Sequence, residues 1–174
     1  MDVFLREITQ QDSKYIVKWR NSAKVINHCI DKTPTSEETY NTFFTEKIRT
    51  GKYIQYMVEK SNNDFPFVSY SIATVYLKDL DETNRKCELG MYASDDEEWD
   101  EECKNLAVKK LIEKAFTEFN FHKIYSYVFA DCLDELALLE KVGMCREAYL
   151  KGEIRENEIT YRDIIRLGII NEKF

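Results

Sequence analysis

The segment from residue 103 to residue 119 repeats apolar side chains at the 3.6-residue spacing of an α-helix, and it is the most strongly helical pattern in the chain. A helix with one apolar face is stable only when that face packs on a sheet or on other helices. We therefore predict a long helix here within a single α/β unit. Its apolar face contains Cys103, Leu106, Ala107, Leu111, Ile112, Ala115, Phe116 and Phe119.

Three segments before this helix have the composition of β-strands. Residues 53–59 and 67–77 are rich in Tyr, Val, Ile and Phe, and the turn-forming sequence Ser61-Asn62-Asn63-Asp64 separates them. Residues 86–93 form the third segment, after the polar loop 79–85. Together they predict an antiparallel meander that leads into the long helix.

One strand and two helices are predicted before the meander. Residues 3–8 alternate as a short strand, and Asp12 opens a helix that carries Ile16, Val17 and Trp19. The sequence Thr35-Ser36-Glu37-Glu38 matches a capping box, in which Thr35 accepts from the backbone and Glu38 reaches back. The apolar face of this second helix consists of Tyr40, Phe43, Phe44 and Ile48.

The last third of the chain predicts three more strands and one short helix. Residues 123–130 are apolar on both faces, which indicates a central strand. Asp131 or Asp134 caps a helix that runs through Leu136 and Leu139 and stops at Gly143. Residues 145–151 and 159–170 form the final strands. The predicted order is βααβββαβαββ, in one domain that covers residues 1–174.

Composition and charge narrow the function classes. The chain has 174 residues, of which 44% are hydrophobic, which is enough for one domain with a substantial core. It lacks an apolar run of membrane-spanning length and a signal-peptide layout, so we expect a cytoplasmic protein without a membrane partner. A pI near 5.0 without a basic cluster argues against nucleic acid. Five cysteines without a Cys-x-x-Cys pair predict reduced thiols rather than disulfides or a zinc site.

A strongly acidic run precedes the long helix. Seven of the eight residues from 95 to 102 are acidic, and Trp99 is the exception. With 32 acidic and 25 basic residues in the chain, this run equals the whole net charge of −7. Carboxylates at a helix start offset its dipole and accept from its unpaired N–H groups. Because the run lacks the Asp-x-Asp-x-Asp-Gly spacing of a calcium loop, we predict no metal site.

Four groups of residues occur in an order that matches a known family. They are Leu5-Arg6 with Asp12 and Trp19-Arg20-Asn21, then Glu88-Leu89-Gly90-Met91-Tyr92, then Leu138-Leu139-Glu140-Lys141-Val142-Gly143-Met144, and last Tyr161-Arg162-Asp163. In these residues the chain resembles the GNAT acyltransferases, specifically the branch that contains ribosomal-protein-alanine, spermidine and nucleotide-amino-sugar N-acetyltransferases. The resemblance runs nearly end to end. It implies an α/β fold with a mixed, mostly antiparallel sheet flanked by helices.

The resemblance implies that acetyl-CoA lies in a cleft where the fourth and fifth strands separate. In the family, pantetheine pairs with the backbone of the fourth strand, which corresponds here to Met91 and Tyr92. The residue that corresponds to the family's cofactor-site Asn is Cys132, and Glu135 stands where a Ser is usual. Cys132 is also a candidate nucleophile, but neither histidine is near it in sequence, which favours a buried or cap-adjacent thiol.

Pyrophosphate binding in the family uses a Gly-rich loop at the start of the long helix. When Trp99 is aligned with the aromatic residue before that loop, the two glycines fall on Asp100 and Glu102. These carboxylates repel pyrophosphate, so we expect the phosphates to be displaced toward solvent. Lys104 and Asn105 are the nearest residues able to contact phosphate, although a solvated helix face is the alternative.

Glu88 is the predicted catalytic base. Acyl transfer needs a neutral amine, and a carboxylate removes the ammonium proton directly or through water. The alternative is a glutamate on the sheet surface that pairs with a neighbouring Lys or Arg. The position of a Tyr that serves as general acid in several relatives falls on Leu139, and that of a strand-three Gly falls on Ser69.

Two functions remain open from the sequence. The first is an N-acetyltransferase that moves acetyl from acetyl-CoA to a primary amine of a small molecule (an amino sugar or a polyamine) or of a protein N-terminus. The second is a catalytically silent relative whose cleft serves as a binding surface. The loops expected to select the acceptor, residues 29–35 and 78–86, contain no motif that identifies it. The oligomeric state is also open, and a homodimer is one possibility.

Overall fold

The computed structural model describes residues 2–61, 68–94 and 99–173. Its strands are β1 (Val3–Glu7), β2 (Ile54–Ser61), β3 (Ser69–Asp81), β4 (Lys86–Ala93), β5 (Lys123–Phe129), β6 (Cys145–Arg155) and β7 (Tyr161–Ile170). Its α-helices are α1 (Ser13–Arg20), α2 (Ala23–Ile26), α3 (Glu37–Phe43), α4 (Glu101–Thr117) and α5 (Leu133–Lys141). The predicted order is confirmed, with α2 as an additional short helix. Most of the predicted turn after Ser61 and the acidic residues 95–98 lie outside the described residues.

The described strands form one seven-stranded sheet in the order β1-β2-β3-β4-β5-β7-β6. The meander β2-β3-β4 is antiparallel, as predicted, and the pairing of β4 with β5 is parallel. A parallel pair needs a crossover connection, which α4 supplies. The sheet is therefore mixed and mostly antiparallel, with helices on both faces.

Successive side chains of β4 enter two different cores, because neighbouring residues of a strand point to opposite faces. Cys87 and Leu89 pack in the core beneath α4, whereas Tyr92 contacts the smaller core formed with α1 and α3. The apolar face of α4 is confirmed except at Phe119, which follows the end of the helix and is 37% exposed. The predicted face of the second helix is confirmed, and its last two members belong to a π-helical turn, Phe44–Ile48.

Two of the predicted helix caps are wrong. Ser36, rather than Thr35, is the N-cap of α3, and its side chain accepts from the backbone N–H of Thr39. The backbone of Thr35 instead exchanges two hydrogen bonds with the side chain of Asn21, at 2.9 and 2.7 Å. This pairing holds Thr35 one residue before the N-cap.

The predicted caps of α5 are correct at one end only. Cys132 occupies its N-cap position without a side-chain cap, so neither Asp131 nor Asp134 plays this role. At the other end Gly143 has φ +101. The N–H of Gly143 bonds to the carbonyl of Glu140, and that of Met144 to the carbonyl of Leu139, which is a Schellman motif.

A buried carboxylate connects the first strand to the first helices. Asp12 accepts from both terminal nitrogens of Arg6, at 3.0 and 2.9 Å, and from the backbone N–H and hydroxyl of Thr9, at 2.7 and 2.9 Å. Arg6 also donates to Glu59 on β2 at 3.0 Å. Burial acts to raise the pKa of Asp12, but the hydrogen bonds from Arg6 and Thr9 outweigh it and lower that pKa.

The Asp12→Ala variant should lower the free energy of unfolding by about 3 kcal/mol at neutral pH, since it leaves Arg6 and Thr9 without their shared acceptor. A carboxyl with a lowered pKa stabilises the fold above its unfolded-state pKa and ceases to do so as pH falls through the folded-state value. The difference from wild type should therefore shrink in acid. Urea unfolding at several pH values measures it, with the exposed Glu7→Ala as the control. Equal losses in both variants would contradict the role of Asp12.

Candidate functional site

The sheet opens between β4 and β5. The two strands pair only at Lys86–Glu88 with Lys123–Tyr125, although both continue further. Beyond the last pair, the buried hydroxyl of Ser126 donates to the carbonyl of Leu89 at 3.0 Å. Because backbone groups alternate sides along a strand, the N–H and C=O of Met91 also face β5. Those of Tyr92 face β3 by the same alternation. Met91 therefore presents its backbone to the gap.

Glu88 is the last paired residue of β4 at this gap. It is 9% exposed, and the ammonium nitrogen of Lys78 lies 3.1 Å from its Oε1. Burial raises the pKa of the Glu88 carboxyl, Lys78 partly opposes this, and Asp79 adds to it. Glu88 thus has the basic partner that the alternative hypothesis named, but Glu88 is buried rather than on the sheet surface. A buried carboxyl with a raised pKa is suited to accept a proton near neutral pH.

Three tyrosines stack on the same sheet face as Glu88. The ring centroids of Tyr53 and Tyr76 are 5.2 Å apart, and those of Tyr76 and Tyr92 are 5.0 Å apart. Tyr76 crosses β4 over Gly90, where an added Cβ would lie 2.3 Å from its Cζ. Burial raises the pKa of Tyr76 and of Tyr92, so both hydroxyls stay protonated at neutral pH. Leu139, at the position of the general-acid Tyr of several relatives, is fully buried in the core and has no proton to donate.

A cleft of about 280 Å³ lies on the α4 face of the gap, and we call it the α4-side cleft. Three of the predicted cofactor residues, Met91, Trp99 and Lys104, line it. Trp99 is only 3% exposed, because most of its ring packs in the core. The other lining residues are Lys24, Val25, His28, Cys29, Asp134, Glu135 and Leu138.

A second cavity of about 250 Å³ lies on the opposite face of β4, and we call it the α1-side cavity. Tyr92, predicted as a cofactor residue, lines this cavity rather than the α4-side cleft. Its wall is mainly aromatic and hydroxylic, with one carboxylate, Asp31, and one guanidinium, Arg20. The guanidinium carbon of Arg20 lies 5.6 Å from the Tyr92 ring centroid. Met91 and Tyr92, which are adjacent on β4, thus line two different spaces.

The start of α4 is occupied by a carboxylate. Asp100 is the N-cap, and its side chain accepts from the backbone N–H of Cys103 at 2.8 Å. This hydrogen bond is the largest cause that lowers the pKa of Asp100. Asn105, predicted to contact phosphate, is 7% exposed and donates to the carbonyl of Glu101 at 2.8 Å. Among the described residues its Oδ1 has no hydrogen-bond partner.

Cys132 lies beside the α4-side cleft, in a depression that it shares with Asp131 and Arg162. Its Sγ is 3.9 Å from Nη2 of Arg162. Although no histidine is near Cys132 in sequence, the fold brings His28 next to it. The ligand atoms of His28, Cys132 and Glu135 all lie within 4.8 Å of one another.

Sequence reasoning missed the contribution of α2 and the loop after it. Lys24, Val25, His28 and Cys29 come from this region and line the α4-side cleft. A four-residue helix is too short to show a helical period, so the one available signal was Ser22, whose side chain accepts from the N–H of Val25. Within the described part of the chain, no helix has the length and apolar character needed to cross a bilayer.

Comparison with known proteins agrees with this geometry. The model of the Acetyltransferase (GNAT) domain matches residues 2–145. Spermidine N(1)-acetyltransferase of Vibrio cholerae serotype O1 is 21% identical over 170 residues, which cover 98% of this chain and 94% of that protein.

Solved structures give the same fold. The crystal structure of spermidine N-acetyltransferase from Vibrio cholerae in complex with CoA and spermine superimposes with a TM-score of 0.83 at 19% identity, covering 98% of this chain and 96% of that one. A chimera of that enzyme with hSSAT has a TM-score of 0.84 at 20% identity, with 99% and 98% covered. The family model spans well over half of the chain, and the chain belongs to the GNAT acetyltransferase family.

Proposed function

We propose that the protein transfers acetyl from acetyl-CoA to a primary amine of a polyamine. The observation that carries the proposal is the gap beside β4, with a buried carboxylate, Glu88, at its closed end. The GNAT match supports acetyl transfer over a silent relative, and the relatives compared are spermidine N-acetyltransferases. A net charge of −7 also attracts polycations. Nothing in the comparisons supports a protein N-terminus as the acceptor.

The residues of the α4-side cleft fit acetyl-CoA in two respects. Met91 offers an N–H and a C=O that face the gap, and backbone groups of this kind need a partner when they are buried. Lys24 and Lys104 line the same cleft and supply positive charge for phosphates. Asp100 opposes this fit, because its carboxylate already accepts from an N–H at the start of α4. Acetyl-CoA would supply the activated thioester.

Glu88 supplies the proton acceptor in this proposal. A polyamine is cationic at neutral pH, so the reacting nitrogen must lose a proton before it can attack. Glu88 takes that proton directly or through a water molecule, and Lys78 holds its carboxylate in place from 3.1 Å. The α1-side cavity lies on the same sheet face as Glu88 and provides the approach for the acceptor.

Spermidine and acetyl-CoA should yield an N-acetylated polyamine and free CoA thiol, detected by mass spectrometry and by thiol release. Acetyl-CoA at 100 times its Kd should also stabilise the protein by ~2.7 kcal/mol, visible as a higher melting temperature. A peptide with a free N-terminal alanine serves as the control acceptor and should remain unmodified. If millimolar acetyl-CoA gives no product and no thermal shift, the protein is the catalytically silent relative instead.

The Glu88→Gln variant should lose about 10²–10⁴-fold in kcat/KM, since the amide cannot accept the proton. Its Kd for acetyl-CoA should stay near that of wild type. Because burial raises the pKa of Glu88, the wild-type rate should fall on the acid side at a pH above the ordinary glutamate range, and the variant should lack this acid limb.

Glu147→Gln is the matched control, because Glu147 lies on β6 and pairs with Lys123 at 2.5 Å. This variant should keep the wild-type rate and pH profile. Weaker acetyl-CoA binding with unchanged turnover in Glu88→Gln would assign Glu88 to binding instead of proton transfer.

The Asp100→Gly variant should bind acetyl-CoA about fivefold more tightly, since one like charge near a phosphate costs ~1 kcal/mol at 4 Å in water. Asp100→Asn removes the charge but keeps an acceptor at the N-cap, so its affinity should be intermediate. Titration calorimetry measures both, and Glu113→Gln, exposed on the same helix, controls for net charge. If neither Asp100 variant alters affinity, the phosphates bind away from the start of α4.

A further inference from the structure

Three side chains of different chemistry meet where α5 begins. They are the imidazole of His28, the thiol of Cys132 and the carboxylate of Glu135, with all ligand atoms within 4.8 Å of one another. Imidazole, thiolate and carboxylate are the three side-chain ligands that Zn²⁺ uses in proteins. We propose that these residues form a zinc-binding site with a fourth position open to solvent.

The local fold explains why the three groups converge. Cys132 is the N-cap of α5 and Glu135 lies three residues later, so both side chains lie on one face of its first turn. His28 comes from the loop after α2, and its Nδ1 lies 3.6 Å from Oε2 of Glu135. Ligand atoms around a tetrahedral zinc ion, with bonds of ~2.0–2.3 Å, lie roughly 3.3–3.7 Å apart. The observed separations need only small side-chain rotations to reach these values.

The distances favour a metal over a nucleophilic Cys-His-Glu arrangement. In such a catalytic arrangement the histidine hydrogen-bonds both its neighbours, at ~2.6–3.2 Å. His28 and Glu135 are 3.6 Å apart, and among the described residues the Sγ of Cys132 contacts Arg162 and Asp131. The 3.6 Å between His28 and Glu135 matches the separation of two ligand atoms on one tetrahedral ion.

The charges around the site are compatible with a divalent cation. Nη2 of Arg162 lies 3.9 Å from Sγ of Cys132 and is paired with Asp131 at 2.5 Å. Asp131 offsets that guanidinium, and Glu135 adds a further negative charge. His28 is half exposed, so an ion can reach the site without disturbing the core.

A bound ion would join the loop after α2 to the start of α5. His28 and Glu135 both line the α4-side cleft, so this link would close one end of it. The site is separate from the proposed proton acceptor, because Glu88 projects from the opposite sheet face. Zinc binding can therefore be tested whether or not the protein transfers acetyl groups.

Isothermal titration calorimetry of the reduced protein with Zn²⁺ should show that one equivalent binds. Substitution of Co²⁺ should give a thiolate-to-cobalt charge-transfer band in the ultraviolet. His28→Ala, Cys132→Ala and Glu135→Gln should each weaken Zn²⁺ binding by at least about tenfold, and Cys132→Ala should remove the band.

Cys145→Ala, which removes an exposed thiol elsewhere, should bind Zn²⁺ like wild type. Melting curves without metal identify any variant that fails to fold, and the half-exposed His28 makes His28→Ala the most robust of the set. No binding at millimolar Zn²⁺, or equal affinity in wild type, His28→Ala and Cys132→Ala, would overturn the proposal. Rapid alkylation of Cys132 without zinc binding would also overturn it, in favour of a nucleophile.

Discussion

The short parallel pairing of β4 with β5 is the constraint on which the candidate site depends. Each strand keeps one neighbour for its whole length, since β4 stays with β3 and β5 stays with β7, but they lose each other after Glu88 and Tyr125. The hydroxyl of Ser126 takes the Leu89 carbonyl that a continued ladder would have used. The next backbone groups on this side of β4, those of Met91, face an open gap. An extended ligand chain can pair with such groups as a further strand would.

Because successive side chains of β4 point to opposite sheet faces, two separate environments border this gap. Leu89 and Met91 face α4, and Gly90 and Tyr92 face α1 and α3. Gly90 is required by packing, because Tyr76 lies across it where a Cβ would be. A carboxylate beside buried, protonated tyrosines then lies on one face, while cations and helix N–H groups lie on the other. In the proposed function, proton transfer and phosphate binding thus take place on opposite faces of one strand.

The fold was predictable where local patterns are strong. The bounds of β4 agree with the prediction to the residue, and α4 begins and ends within two residues of its apolar pattern. The resemblance placed Glu88 on this strand, and the structure adds its burial and its pairing with Lys78, while its role as the base stays a prediction. Phe119 was misplaced because the helix stops before it, and the cap at Thr35 was displaced by one residue because Asn21 binds its backbone. Such competition between tertiary contacts and local propensity is not visible in sequence.

The meeting of His28 with Cys132 and Glu135 was beyond sequence reasoning for another reason. It depends on α2, four residues long, and on the packing of its following loop against α5. Pairs so far apart in the chain are set by the tertiary structure alone. The same holds for the choice between the two spaces beside β4, since Tyr92 was grouped with Met91 until strand alternation separated them.

The start of α4 is stabilised by a carboxylate of the chain itself. A helix start presents unpaired N–H groups and a positive dipole end, and these need a negative partner. A phosphate bound to a Gly-rich loop meets this need only while the ligand is present. Asp100 meets it permanently, with its carboxylate 2.8 Å from the N–H of Cys103. The helix is thereby stable without ligand, but phosphate must compete with an internal carboxylate. In the proposed function, we therefore expect acetyl-CoA to be held more by the Met91 backbone and the lysines of the α4-side cleft than by the helix start.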